Sequence, residues 1–140
     1  MTEAPHRSQS ALQTVPIVTV SDITPDIVLC VVNGEIDLLT EPILREKLTE
    51  AIAGTPRHLV IDLCHVQFMG STGLTLLMEF RATQRATGRQ LAIVVGDNRV
   101  VTRPLQVTGL DYIVDLYTEL AMAVRACRTP DNHDSIDPKN

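Results

Sequence analysis

The chain has 140 residues and a formal net charge of −5 at pH 7, and this length suits one compact domain. Hydrophobic residues make up 44% of it, but there is no Trp and only two Tyr and two Phe, so the predicted core is aliphatic. An acidic chain this poor in aromatic residues lacks the positive surface and stacking side chains of nucleic-acid-binding proteins. No apolar run reaches the roughly 18 residues that a membrane-spanning helix needs.

Both ends of the chain differ in composition from its middle. Residues 1–14 are polar and hold no apolar stretch of the kind that a secretory signal requires. Residues 129–140 combine three Asp, two Asn and two Pro with a single apolar residue. We therefore expect flexible tails at 1–14 and 129–140 around one domain at 15–128. We also expect a cytoplasmic protein with no direct contact to nucleic acid or membrane.

Apolar periodicity, interrupted by Pro, Gly and capping residues, predicts nine elements within this domain. In chain order they are strands at 17–20 and 27–32, a helix that Thr40 caps and that ends before Gly54, a strand at 59–63, a helix from about 70 to 86, a strand at 91–95, a helix that Asp97 caps and that ends near Gly109, a strand at 112–116, and a helix from Thr118 to about Cys127.

The order of these elements predicts the fold class. After an initial hairpin the strands alternate with helices, and helical crossovers between strands produce parallel pairing. The hairpin adds one antiparallel pair. The sequence therefore predicts a single α/β domain with a mixed, mostly parallel sheet and about four helices.

The segment 68–74 (Phe-Met-Gly-Ser-Thr-Gly-Leu) places two hydroxyl residues between two glycines at a predicted helix start. One interpretation is structural, with Ser71 as the N-cap of the helix. The other is functional, because the positive end of a helix accommodates a phosphate on Ser71 or Thr72. Small residues at positions 70 and 73 would leave room for the active site of another protein.

Enzyme motifs are absent around this serine. A nucleophile elbow needs Gly two residues before Ser71, and Met69 stands there; neither of the glycine-rich phosphate-binding motifs occurs. We therefore assign no catalytic residues. Two alternatives stay open: a small serine hydrolase using Ser71, and a receiver-like domain phosphorylated on Asp62. The second lacks both an acidic pair after the first strand and any Lys between Lys47 and Lys139.

A second polar segment, 34–37 (Gly-Glu-Ile-Asp), follows the second predicted strand. The carboxyl ends of parallel strands meet at the same edge of a sheet, where ligands and partners usually bind. If the second and third strands are neighbours, Asp37 and Ser71 share one surface.

The helix after Ser71 carries more apolar residues than one narrow stripe can hold. Leu74, Leu77, Met78 and Ala82 predict its core face. Leu76 and Phe80 lie about 200–240° around from Leu74. They indicate either a wide buried stripe or an exposed ridge that contacts a partner next to Ser71.

The three cysteines, Cys30, Cys64 and Cys127, are widely separated, and the four histidines follow no metal-binding spacing. We expect buried thiols, no metal and no cofactor.

Five segments, in this order, carry a family resemblance: 34–37 (Gly-Glu-Ile-Asp), 41–48 (Glu-Pro-Ile-Leu-Arg-Glu-Lys-Leu), 60–63 (Val-Ile-Asp-Leu), 68–74 (Phe-Met-Gly-Ser-Thr-Gly-Leu) and 107–110 (Val-Thr-Gly-Leu). On them the chain resembles the STAS domain, and within that family the small bacterial anti-sigma factor antagonists. The resemblance covers about 15–128. In the family motif, Asp precedes the serine that matches Ser71; here that position is Gly70, which removes a carboxylate beside the hydroxyl.

The resemblance implies a regulator of transcription that is not itself an enzyme. The unmodified form would bind a partner that is both an anti-sigma factor and a serine kinase, and so free the sigma factor. That partner would phosphorylate Ser71, with Thr72 as the fallback acceptor, and end the binding; a phosphatase acting on phospho-Ser71 would reset the switch. Resemblance and helix geometry together predict a partner-binding surface of Asp37, Gly70, Ser71, Thr72, Gly73, Leu76 and Phe80.

Overall fold

The computed structural model of the chain describes residues 16–128, so the predicted tails at 1–14 and 129–140 lie outside the described residues. The described part contains five strands and four α-helices in the predicted order, and one short 3₁₀ helix that was not predicted and that includes Tyr112, the expected start of the last strand. They are β1 (Ile17–Thr24), β2 (Ile27–Ile36), α1 (Glu41–Ala51), β3 (His58–Met69), α2 (Ser71–Ala86), β4 (Leu91–Val94), α3 (Arg99–Thr108), the 3₁₀ helix (Leu110–Tyr112), β5 (Asp115–Tyr117) and α4 (Leu120–Arg128).

The five strands form one sheet in the order β1-β2-β3-β4-β5. β1 runs antiparallel to β2, and the other three pairings are parallel. This confirms the predicted α/β fold with a mixed, mostly parallel sheet. Because β2 and β3 are neighbours, the loops that follow them emerge side by side.

The helices divide unequally between the two faces of the sheet, as the alternation of side chains along β3 shows. Leu59, Ile61 and Leu63 point into the larger core, to which α1, α2 and α3 contribute buried residues. Val60 points the opposite way, into a smaller core with Ala123 and other residues of α4. The three-helix face therefore positions the helix that begins at Ser71.

β3 is much longer than predicted and runs to the residue before Gly70. Its pairing with β2 shifts register twice, between Val31 and Asn33 and between Gly34 and Glu35. Such irregularities interrupt the two-residue alternation, and for that reason the sequence pattern predicted a loop here. The side chain of Asn98 supports the irregular stretch: its amide donates to the carbonyls of Leu63 and Val66, both at 2.9 Å. Asn98, rather than the predicted Asp97, is also the N-cap of α3 and accepts from the Val100 amide.

The predicted faces of α2 need correction. Leu76 and Phe80 are buried in the larger core, whereas the predicted core residue Ala82 is exposed. The prediction of an exposed ridge at Leu76 and Phe80 is therefore wrong, and the wide buried stripe is correct. The stripe includes a polar residue, Gln84, whose amide donates to the carbonyls of Arg57 at 2.6 Å and Gln90 at 3.1 Å. In a pattern of apolar and polar residues, a glutamine is assigned to the surface. Because Gln84 is buried, the core face predicted for α2 was rotated away from the observed one.

Because Phe80 is buried, its replacement should destabilise the domain. Replacement by Ala removes a core aromatic ring, so Phe80→Ala should lower the free energy of unfolding by about 3–5 kcal/mol. Thr83→Ala, an exposed substitution in the next turn of α2, is the control and should change it by less than about 0.5 kcal/mol. Urea unfolding measures both; a loss below about 1 kcal/mol for Phe80→Ala would contradict the burial.

Candidate functional site

α2 begins at Ser71, and Gly70 is its N-cap. Gly70 has extended backbone angles, φ −89° and ψ 179°, and as a glycine it provides no side-chain cap. Its amide donates to the Ile36 carbonyl at 2.9 Å, which ties the start of α2 to the end of β2. The predicted N-cap role of Ser71 is therefore wrong. Ser71 is the first helical residue, and its exposed hydroxyl has no part in the cap.

Thr72 differs from Ser71 although the two hydroxyls are adjacent in sequence. The Thr72 hydroxyl oxygen is buried and has no hydrogen-bond partner within the described residues. An incoming reactant would therefore reach Ser71 first. This distinction supports Ser71 over the fallback Thr72 as the accessible hydroxyl of the pair.

Gly73 has a packing role, not the open approach that its position in the sequence suggested. It is buried, and a Cβ added there would collide with the Met69 sulfur and lie 2.9 Å from Cγ2 of Ile36. The first turn of α2 thus lies directly on the ends of β2 and β3. Gly73 therefore allows α2 to pack closely on the strand ends beneath the site, and it is not part of the exposed surface.

Asp37 forms the turn between β2 and α1. One carboxylate oxygen accepts from the amides of Leu39 and Thr40, both at 3.0 Å. The Thr40 hydroxyl in turn accepts from the Asp37 amide at 2.9 Å and donates to the Glu35 carbonyl at 2.7 Å. Thr40 is the N-cap residue of α1, as predicted, although its side chain bonds to the strand end and not to the first turn of the helix. Asp37 therefore has a structural role, and its contact with a partner stays a prediction.

The pairing of Ile36 with Met69 brings Asp37 and Ser71 to the same edge of the sheet. A shared surface for Asp37 and Ser71 was expected if the second and third strands were neighbours. β2 and β3 are adjacent in the sheet. Of the residues predicted for this surface, Asp37, Gly70, Ser71 and Thr72 lie at this edge. Leu76, Phe80 and Gly73 are in the core.

Three exposed apolar side chains lie at this edge, which we call the apolar rim. Leu38 is 75% exposed, Leu39 is 83% exposed, and Phe68 is 48% exposed. Leu38 and Leu39 follow Asp37 directly, and the Phe68 ring lies beside Gly70, 3.3 Å from where a Cβ would be. The rim is not among the predicted surface residues, although two leucines directly after a strand, in a turn too tight to bury them, indicate exposed apolar side chains.

A cleft of about 240 Å³ lies between the first turns of α1 and α2, lined by Glu41, Arg45, Ser71, Thr72 and Thr75. Arg45 makes two contacts with one Glu41 oxygen, from Nε at 2.8 Å and from Nη2 at 2.6 Å, and reaches Glu79 on α2 at 2.7 Å. Hydrogen bonds that Arg45 donates to Glu79 and, with a smaller effect, to Glu41 raise the pKa of Arg45, so it stays charged. These lining residues include no imidazole or thiol that could activate Ser71 as a nucleophile.

The remaining candidate groups are occupied or unreactive. Asp62 accepts a hydrogen bond from the Cys64 amide at 2.9 Å within β3. Burial is the main cause that raises the pKa of the Cys30 and Cys64 thiols to about 11 and that of Cys127 to about 12, so all three are protonated at neutral pH. Between residues 16 and 128, no three His, Cys, Asp or Glu side chains come together as a metal site, and no helix is long and apolar enough to cross a membrane.

The structural role of Asp37 can be measured. Asp37→Ala removes the acceptor of two turn amides and should lower the free energy of unfolding by about 0.5–2 kcal/mol. Asp37→Asn keeps an acceptor oxygen at the same place and should lose less than half of that. Thermal or urea unfolding compares the two variants. Equal losses for Ala and Asn would show that the charge of Asp37, and not its hydrogen bonds, stabilises the turn.

Known proteins resemble this chain along most of its length. Residues 19–123 match the family model of the STAS domain. The anti-sigma-F factor antagonist RsfB of Mycobacterium tuberculosis is 39% identical over 112 residues, which are 79% of this chain and 88% of that protein.

Solved structures share the fold. An anti-sigma factor antagonist from Mycobacterium paratuberculosis has a TM-score of 0.71 and 32% sequence identity, and the match covers 82% of this chain and 96% of that one. The anti-sigma factor antagonist SpoIIAA in its unphosphorylated form has a TM-score of 0.65 over 79% of this chain and 96% of its own. At 21% identity, the second likeness concerns the fold alone.

Proposed function

This chain belongs to the STAS domain family, and we propose that it acts there as an anti-sigma factor antagonist. Its unphosphorylated form binds an anti-sigma factor that is also a serine kinase, and this binding releases the sigma factor for transcription. Phosphorylation of Ser71 ends the binding, and a separate phosphatase restores it. The protein itself is a binding regulator and not an enzyme.

The observation that carries this proposal is the accessibility of Ser71. Its hydroxyl is exposed at the first residue of α2 and does not cap the helix, while the Thr72 oxygen is buried. In the proposed transfer, Ser71 Oγ forms a bond to the γ-phosphorus of ATP, the bond to ADP breaks, and a base of the kinase takes the hydroxyl proton. The phosphate then lies at the positive end of α2, where a doubly negative group is stabilised.

The apolar rim supplies the contact surface that the buried Leu76 and Phe80 cannot. Leu38, Leu39 and Phe68 are exposed at the same edge of the sheet as Ser71, and apolar side chains of this kind form the centre of protein interfaces. A phosphate beside such a centre has to lose its hydration when the partner binds. Because taking a doubly negative group out of water can cost more than a paired cation returns, phosphorylation weakens binding without any change of fold.

The two alternative functions have less support. A hydrolase needs a base beside Ser71, and the residues that line its cleft are an arginine, a glutamate and three hydroxyl residues, of which the glutamate is paired with the arginine. A receiver-like domain needs an available Asp62 carboxylate, and one oxygen of this carboxylate is bonded to the Cys64 amide of its own strand.

The first prediction of this proposal concerns the acceptor. Incubation with a kinase-type anti-sigma factor and ATP should add one phosphate, which mass spectrometry locates on Ser71. Ser71→Ala should abolish the modification and bind the partner whether or not ATP is present. Thr72→Ala is the matched control and should leave the modification in place. Phosphate on Thr72, or on neither residue, would refute the assignment.

The second prediction concerns the apolar rim. Leu39→Ser should weaken binding of the unphosphorylated protein to the anti-sigma factor by about tenfold, since an interface side chain commonly contributes more than about 1 kcal/mol. Its stability should change by less than about 0.5 kcal/mol because Leu39 is exposed. Val107→Ser, an equally exposed position at the end of α3, is the control for added polarity.

Titration calorimetry measures the affinities and urea unfolding the stabilities. Equal affinities for the Leu39 and Val107 variants would place the interface elsewhere on the domain.

A further inference from the structure

Arg45 is the cation of the cleft that also contains Ser71. It projects from the second turn of α1 and bridges to α2, since its guanidinium contacts both Glu41 of its own helix and Glu79 of α2. Neither the family match nor the relatives' names give this residue a role.

The two carboxylates hold Arg45 unequally. Glu41 is 15% exposed and receives two contacts, from Nε at 2.8 Å and Nη2 at 2.6 Å. Glu79 is 50% exposed and receives a single contact, from Nη2 at 2.7 Å. A carboxylate that is already half in water loses little when its partner leaves, because exposed ion pairs are weak. Glu79 is therefore the exchangeable partner, and Glu41 the one that orients the guanidinium.

A phosphate is a better partner for this guanidinium than Glu79. It carries nearly two negative charges and three acceptor oxygens, and arginine binds such groups with two parallel hydrogen bonds. The cleft that Arg45 and Ser71 line together has a volume of about 240 Å³, enough for a phosphate on the Ser71 hydroxyl. The ligand would not have to enter from solution, because it would be attached to one wall of the cleft.

We propose that Arg45 is the phosphate-binding residue of the phosphorylated protein: it exchanges Glu79 for the phosphate of phospho-Ser71 and keeps its contacts with Glu41. This rests on the proposed function only in taking Ser71 as the phosphorylated residue. The exchange removes the bridge between α1 and α2 and holds the phosphate against the domain's own surface. Glu79 is left free in water on the outer side of α2.

The experiment uses protein carrying phosphoserine at position 71, incorporated during synthesis, so that no kinase is needed. Phosphorus NMR then follows the second ionisation of the phosphate, whose pKa is ordinarily about 6. A nearby guanidinium favours the dianion, so we expect Arg45→Gln to raise this pKa by about 0.5–1 unit. Arg45→Lys retains the charge and should give an intermediate value.

Arg85→Gln is the matched control, because it removes a positive charge from α2 at a distance of about 21 Å along the helix from Ser71. It should leave the phosphate pKa unchanged. In the protein with phosphoserine, the resonance of the Arg45 Nη2 protons, which contact Glu79 in the unmodified protein, should also shift. This readout needs no substitution and remains available if a variant folds poorly.

The proposal is overturned if Arg45→Gln and Arg85→Gln give the same phosphate pKa, or if the Arg45 resonance does not respond to phosphoserine. Either result would leave the proposed switch intact. Conversely, a kinase that fails to modify Ser71 would refute the proposed function while leaving this measurement of Arg45 unaffected.

Discussion

The site depends on the close contact between the first turn of α2 and the paired ends of β2 and β3. The Gly70 amide donates to the Ile36 carbonyl at 2.9 Å, and Gly73 has room for no side chain between Met69 and Ile36. This contact sets the height at which α2 starts above the sheet. It thereby brings the exposed Ser71 hydroxyl level with the turn formed by Asp37 and with the apolar rim.

Hydroxyl groups of the same chemistry acquire different roles around this contact. The Thr40 hydroxyl bridges the Asp37 amide and the Glu35 carbonyl, so it belongs to the framework. The Thr72 oxygen is buried without a partner among the described residues. Only Ser71 of these three combines exposure with a position at the positive end of a helix. Burial and hydrogen bonding, and not residue type, therefore distinguish the candidate acceptor from its neighbours.

The order of the elements was predictable from the sequence, because each helix and strand has apolar residues at its own period and most are bounded by glycine, proline or a capping residue. The edge that unites Asp37 with Ser71 followed from that order. The predictions failed where a residue has an environment or a role that is unusual for its residue type. Gln84 is polar but buried through bonds to two carbonyls, and the face predicted for α2 was displaced as a result. Gly70 took the N-cap position assigned to Ser71 because a backbone bond to β2 holds it there. Register shifts in β3 are tertiary features that no local period reveals.

Asn98 limits which sequences can maintain this architecture. Its amide nitrogen donates to two carbonyls of β3 while its oxygen accepts from the Val100 amide. Asp, Ser and Thr are ordinarily interchangeable with Asn at the start of a helix. None of them provides two donors and an acceptor in one side chain, since a carboxylate donates nothing at neutral pH and a hydroxyl donates once. During evolutionary drift this position therefore tolerates only Asn among the usual capping residues. A change there would disturb β3 at Val66, two residues from Phe68 of the apolar rim.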